Sequence, residues 1–169
     1  MTLIICGLAE APGLIATRAP SHMITLLDGA SLGEALSPLP PERHLKLAVN
    51  DIAEPAEGLV LPDEALVLRL LEFSRGWDAS APMLVHCWAG ISRSTAGAFA
   101  IACDRNPHAD EREIALHMRA SAVHASPNRR IVALADTLLG RRGRMVQAVE
   151  AMGDYDYTRA RPFDLPAAF

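Results

Sequence analysis

Cysteine, lysine and long apolar runs are all scarce in this 169-residue chain. The three cysteines, Cys6, Cys87 and Cys103, are odd in number and none stands in C-x-x-C spacing. Neither a disulfide framework nor a zinc knuckle is therefore indicated, and each cysteine must be judged by its own surroundings. Lys46 is the single lysine among 16 basic residues, and the net charge is −4. An acidic total disfavours binding to nucleic acid or another long polyanion. The longest stretch free of Asp, Glu, Lys and Arg is residues 79–92, which is 14 residues long and contains His86. That falls short of the roughly 18 apolar residues of a membrane span. No basic segment precedes the seven-residue apolar run from Leu3 to Ala9, so a secretory signal is not expected and the chain reads as a cytoplasmic protein without a membrane partner. Neither repeats nor low-complexity tracts occur.

Half of the residues are apolar and 21% are charged, the balance of a soluble globular protein of one domain. Before His86 there are 5 basic and 11 acidic residues, and from His86 onward 11 basic and 9 acidic. Arginine keeps its charge and grips a phosphate with two prongs, which lysine does not. An arginine bias also follows from genome base content, so the bias alone assigns no function.

Short apolar runs alternate with helical patterns. Residues 3–6, 23–27, 44–49 and 82–86 read as strands, the last a continuous apolar run suited to the centre of a parallel sheet. Residues 11–19, 92–103, 110–119, 128–139 and 145–152 read as helices. Residues 31–41, with three prolines, read as a loop. Pro62 is placed as a first helical residue, and Leu66, Leu70, Phe73 and Trp77 follow as one apolar face. The expected fold is α/β: one domain over residues 1–152, with a mainly parallel sheet of four to five strands flanked by helices. Residues 153–169 form a tail, packed or mobile. Sites in such sheets lie at the carboxyl ends of strands, and the segments ending at Asp51 and at Cys87 both finish there.

The chemistry concentrates in residues 86–94, His-Cys-Trp-Ala-Gly-Ile-Ser-Arg-Ser. A cysteine leaving a buried strand, five residues, and an arginine opening a helix make a tight loop whose N–H groups form a nest for an anion. Trp88, Ala89, Gly90, Ile91 and Ser92 supply that nest, and Arg93 closes it on phosphate-like oxyanions. Gly90 permits a backbone conformation that a side chain opposes. The same positive field favours the nucleophilic thiolate of Cys87. Cys6 and Cys103 have no such neighbours and read as core residues.

This stretch resembles the H-C-x-x-G-x-x-R-S/T signature of the cysteine-dependent protein tyrosine phosphatases, most closely their small dual-specificity branch. Ala48-Val49-Asn50-Asp51 is similar to the strand end that carries the general acid there, and Ser126-Pro127-Asn128 resembles the Pro-Asn pair opening a later helix. The resemblance implies that Cys87 attacks phosphorus to form a phosphocysteine, while Arg93 and the loop amides hold the equatorial oxygens. Asp51 is implied as general acid and then base, with Glu54, Glu57 and Asp63 as competitors. Ser94 is implied to help release the thiolate. His86 orients the loop or is a plain core histidine, and Asn128 braces the loop from behind. No step calls for a metal or another cofactor.

The implied substrate is a phosphoprotein or a small phosphate ester. No W-P-D triplet precedes the acid and no long tyrosine-stacking loop fits upstream, so a shallow pocket accepting phosphoserine and phosphothreonine beside phosphotyrosine is expected. Loop positions 88–92 lack the basic residues of phosphoinositide-cleaving relatives. Trp88 lines the rim or packs beneath the loop. Prolines 55 and 62 and Gly58 would let residues 51–62 act as a lid. Arg129, Arg130, Arg141, Arg142 and Arg144 form the densest basic cluster, read as a solvated helix face or a guide for a phosphorylated partner. Phosphatase action on a non-protein ester, rhodanese-like sulfur transfer and non-catalytic phosphate binding are the alternatives.

Overall fold

In the computed structural model, which describes residues 1–34 and 38–169, a five-stranded sheet runs through the molecule. Its strands are β1 (Thr2–Cys6), β2 (His22–Leu27), β3 (His44–Ala48), β4 (Met83–His86) and β5 (Phe163–Pro166), in the order β3-β2-β4-β1-β5. The first four are parallel, and β5 runs antiparallel along β1. β4 lies between β1 and β2, pairing Ile5 with Val85 and Ile24 with Val85. Its four residues are all buried, because a central parallel strand is covered on both faces.

Alternate residues divide the core between those faces. Leu3, Ile5, Ile24, Leu26, Met83 and Val85 belong to the larger cluster, whereas Ile4, Cys6, Met23 and Leu84 join Ala11 of helix α1 (Ala11–Arg18) on the other. The larger face carries α3 (Glu64–Arg75), α4 (Arg93–Arg105), α5 (Glu111–Ser121), α6 (Arg129–Leu138) and α7 (Arg144–Glu150). α4 is buried from Arg93 to Cys103. Its alanines and Gly97 let it lie close to the sheet while α3, α5 and α6 pack around it.

Several boundaries differ from the sequence reading. Residues 31–34 are not loop but belong to a short helix, α2 (Gly29–Glu34), begun where Asp28 accepts hydrogen bonds from the Ser31 amide and hydroxyl. The rest of the loop reading falls partly on residues 35–37, which lie outside the described residues. Pro62 is not the first helical residue of α3. Asp63 is the cap, its carboxylate accepting from the Leu66 amide at 2.8 Å, so Asp63 satisfies an orphan N–H instead of merely sitting in the first turn. Asp110 and Asn128 cap α5 and α6 in the same way. Residues 153–169 include β5, where Phe163 and Leu165 are buried, and Ala167 just beyond it is buried too.

The arginine cluster is not one face. Arg141 is buried against Glu111 at 2.9 Å, and Arg144 bonds the other oxygen of the same carboxylate. Arg130 donates to the Pro62 carbonyl. No helix is long and apolar enough to cross a membrane among the described residues.

Candidate active site

Residues 87–92 join β4 to α4 at the carboxyl edge of the sheet. The Trp88 carbonyl accepts from the Leu8 amide, the Ile91 carbonyl from the Ser126 amide and the Ser92 carbonyl from the Asn128 amide. Thr95 Oγ1, fully buried, donates to the Ile91 and Ser92 carbonyls as well. While three of its carbonyls are engaged, the loop has no amide from Trp88 to Ser92 bonded to another protein group among the described residues. A turn of free N–H groups at a helix N-terminus is an anion site.

Gly90 is indispensable to that turn. It has φ +72°, and a Cβ there would stand 2.6 Å from the Cys6 carbonyl carbon and 2.7 Å from the Gly7 nitrogen. A Cβ on Gly7 would in turn meet the Trp88 oxygen at 3.1 Å. Two glycines thus let the loop lie directly on the end of β1. The sequence reading missed Gly7, although a glycine directly after a predicted strand signals a close backbone approach.

Cys87 sits at the base of the loop, 2% exposed, with Sγ 3.1 Å from Ser94 Oγ. Arg93 is also buried, and among the described residues its side chain's only hydrogen bond is from one terminal nitrogen to the Val49 carbonyl at 2.7 Å. Its Nε has no partner. A buried guanidinium with an unused donor is costly unless something binds there. Both residues line an open cavity of about 480 Å³, whose walls include Asp51, Trp88, Asn128 and Tyr155.

Asp51 belongs to this cavity, and Glu54, Glu57 and Asp63 do not line it. Its Oδ1 accepts from Ser92 Oγ at 2.7 Å and from Asn128 Nδ2 at 2.8 Å. Asn128 therefore bonds the loop through its amide, the acid through its side-chain nitrogen, and the α6 amides of Arg130 and Ile131 through Oδ1. It braces the acid as well as the loop. Ser92 forgoes capping α4 in order to hold Asp51. Asn50 pins the segment beyond the acid, its amide donating to the Val60 carbonyl and its Oδ1 accepting from the Val60 amide.

His86 is buried at the end of β4. Its Nε2 bonds Thr25 Oγ1 at 2.7 Å, and the same hydroxyl bonds His44 Nε2 at 2.8 Å, a buried chain across β4, β2 and β3. Burial drives the His86 imidazole down to about 4, against an opposing contribution from the Cys87 backbone. His44 falls to about 4 by burial, then Lys46, then His86. His86 thus anchors the strand that presents Cys87. Trp88 is 59% exposed, which selects the rim position over packing beneath the loop. Burial pushes the Cys6 thiol up to about 12, with Glu10 and Cys87 adding to the shift, and raises Cys103 to about 12. Both remain protonated core thiols.

Tyr155 and Arg129 line the cavity without having been singled out as site residues by the sequence. Tyr155 lies 62 positions after Arg93, beyond any motif, and only the return of the chain past the end of α5, where the Asp156 amide donates to the Val123 carbonyl, brings it to the site. Among the described residues no cluster of His, Cys, Asp and Glu could hold a metal ion.

No protein-family model and no curated protein sequence matches the chain. Solved structures do. The human tyrosine phosphatase-like serine/threonine/tyrosine-interacting protein is 20% identical, with TM-score 0.63 over 83% of this chain and 92% of its own. Human DUSP28 is 19% identical, with TM-score 0.59 over 83% and 89%. PTPMT1 in complex with PI(5)P is 16% identical, with TM-score 0.62 over 82% and 90%. Five strands, their order around β4 and the helices over one face therefore give this chain the fold of the small dual-specificity phosphatases.

Proposed function

We propose that the chain is a phosphomonoester hydrolase that works through a phosphocysteine intermediate on phosphorylated protein side chains, phosphotyrosine as well as phosphoserine and phosphothreonine. One observation carries the reading: Cys87 lies beneath an open cavity together with a buried Arg93 whose Nε is unpartnered, and Asp51 stands in the same cavity. In the first step the Cys87 thiolate forms a bond to phosphorus as the bond to the leaving oxygen breaks. Arg93 and the amides of residues 88–92 take up the charge on the equatorial oxygens. Asp51 gives its proton to the leaving oxygen. Ser92 and Asn128 both donate to Oδ1, which leaves Oδ2 to carry that proton. In the second step water attacks phosphorus, Asp51 takes a proton from it, the S–P bond breaks and inorganic phosphate leaves. Ser94, 3.1 Å from Sγ, donates a hydrogen bond to the thiolate that departs.

Fold does not decide catalysis, and similar structures include a phosphatase-like interacting protein. A non-catalytic phosphate module would have no need of nucleophile, arginine and acid in one cavity. Sulfur transfer would have no use for Asp51 or for Ser94 beside Sγ. A phosphoinositide, as bound by PTPMT1, is disfavoured by the absence of Lys and Arg from positions 88–92.

Hydrolysis of p-nitrophenyl phosphate, insensitive to chelator and blocked by vanadate, is expected. Cys87→Ser should lower it by at least ~10³-fold. Asp51→Asn should lower turnover by ~10²-fold or more on esters with poor leaving groups and much less on good ones. Normal turnover in Cys87→Ser would falsify the proposal, and an equal loss in Glu54→Gln would move the acid.

A further inference from the structure

A second cavity, of about 410 Å³, adjoins the one above Cys87 and shares Ser126, Pro127, Arg129 and Tyr155 with it. Its apolar wall is made by Val132 of α6, by Val146 and Val149 of α7, and by Met152. Val146 and Val149 stand three positions apart on α7, hence on one face, and are only partly buried against the core. Arg119 holds the groove from behind, its guanidinium donating to the carbonyls of Met152, Ala122 and Val123. Glu150 and Asp154 stand at the rim.

We propose that this groove receives an apolar side chain that flanks the phosphorylated residue of a peptide substrate, an inference that rests on the phosphatase reading above. Three observations select that occupant. The two cavities share Ser126, Pro127, Arg129 and Tyr155 as walls, so a chain whose phosphate reaches Arg93 can run past Tyr155 and Arg129 into the groove. The wall is aliphatic and roomy enough for a large side chain with part of its backbone, with a few convergent polar groups, as in ligand sites generally. The charges at the rim favour a peptide over a lipid surface. Glu150 and Asp154 can accept from main-chain N–H groups or a basic side chain and would oppose an anionic membrane. Arg130 is engaged with the Pro62 carbonyl, Arg141 and Arg144 with Glu111, and Arg119 with main-chain carbonyls, while Arg129 stands where the two cavities meet.

The test compares kcat/KM on two phosphotyrosyl peptides that differ in having Leu or Asp at the positions within two of the phosphorylated residue. The leucine peptide should be preferred about tenfold, ~1.4 kcal/mol. Val149→Asp should bring the two peptides level while p-nitrophenyl phosphate, which fills only the first cavity, is hydrolysed as before. Should Val149→Asp lose the small substrate too, its fold has been damaged, and Val146→Thr, similar in shape but polar, makes the same comparison. Equal rates on both peptides, or a preference that survives in the variants, overturns the proposal. If the wild type hydrolyses no phosphate ester, the phosphatase reading fails, and calorimetry with the same peptides still decides the groove by the same preference. Faster turnover of a phosphorylated lipid in anionic vesicles, slowed by Val149→Asp, would assign the groove to an acyl chain and overturn the peptide reading.

Discussion

At the scale of single residues, the candidate acid is defined by its donors. Ser92 and Asn128 converge on one oxygen of Asp51, so removing either should misdirect the proton without touching the nucleophile. Ser92→Ala is expected to lower kcat by ~10-fold on alkyl phosphates and to change little on aryl phosphates with good leaving groups, because only the former depend on protonation. A uniform loss across leaving groups would argue that Ser92 acts on phosphate binding instead. Cys87, Arg93, Gly90 and Ser94 could be singled out from residues 86–94 because their placement in one loop depends on local spacing. Asp51 could be placed at the same sheet edge by its strand, but its proposed role came only through resemblance, since 36 residues separate it from Cys87. That it is held through Ser92 and Asn128 was not legible at all. A hydrogen bond between residues 77 positions apart leaves no periodic signal in a sequence.

At the scale of elements, helix ends carry much of the local specification. Asp63 accepts the Leu66 amide at the start of α3, and its carboxylate lies outside the cavity. Asp63→Ala should therefore cost ~1 kcal/mol of stability, read as a lower urea midpoint, with kcat unchanged. A fall in kcat would return Asp63 to the list of acids. The terminal strand makes a larger claim. β5 covers the edge of β1 and buries Phe163 and Leu165, each worth ~1.5–3 kcal/mol when removed from water. Deleting residues 161–169 should lower the melting temperature and expose β1 as an unpaired edge prone to self-association. A monomeric variant of unchanged melting temperature by light scattering and calorimetry would show that the strand is dispensable. The sequence left this segment undecided because four residues with two apolar positions carry too little period to separate strand from tail.

At the scale of the whole molecule, the buried imidazoles tie stability to pH. His44 and His86 fall from 6.5 to about 4 in the folded protein, so the unfolded chain binds their protons more readily. Stability present above pH 6.5 should be lost as pH falls toward about 4. His22 and His124, also lowered by burial, act in the same direction. Urea midpoints at pH 7.5 and pH 5 should differ, and the difference should shrink in His44→Gln. Midpoints that coincide in the wild type would show that Thr25 accommodates the charged rings. The alternation of apolar runs and helical patterns was enough for an α/β sheet with its candidate site at the carboxyl edge, and residues 86–94 were enough to propose a phosphate-binding cysteine loop. Both are properties of neighbours in the chain, where backbone geometry ties spacing to direction. What surrounds that loop was decided only by the tertiary structure: Gly7 beneath Gly90, Asn128 across to Asp51, the Thr25 hydroxyl between two histidines, and Tyr155 beside a second groove. Those are contacts between distant segments, and it is the stacking of helices on one sheet that brings them together.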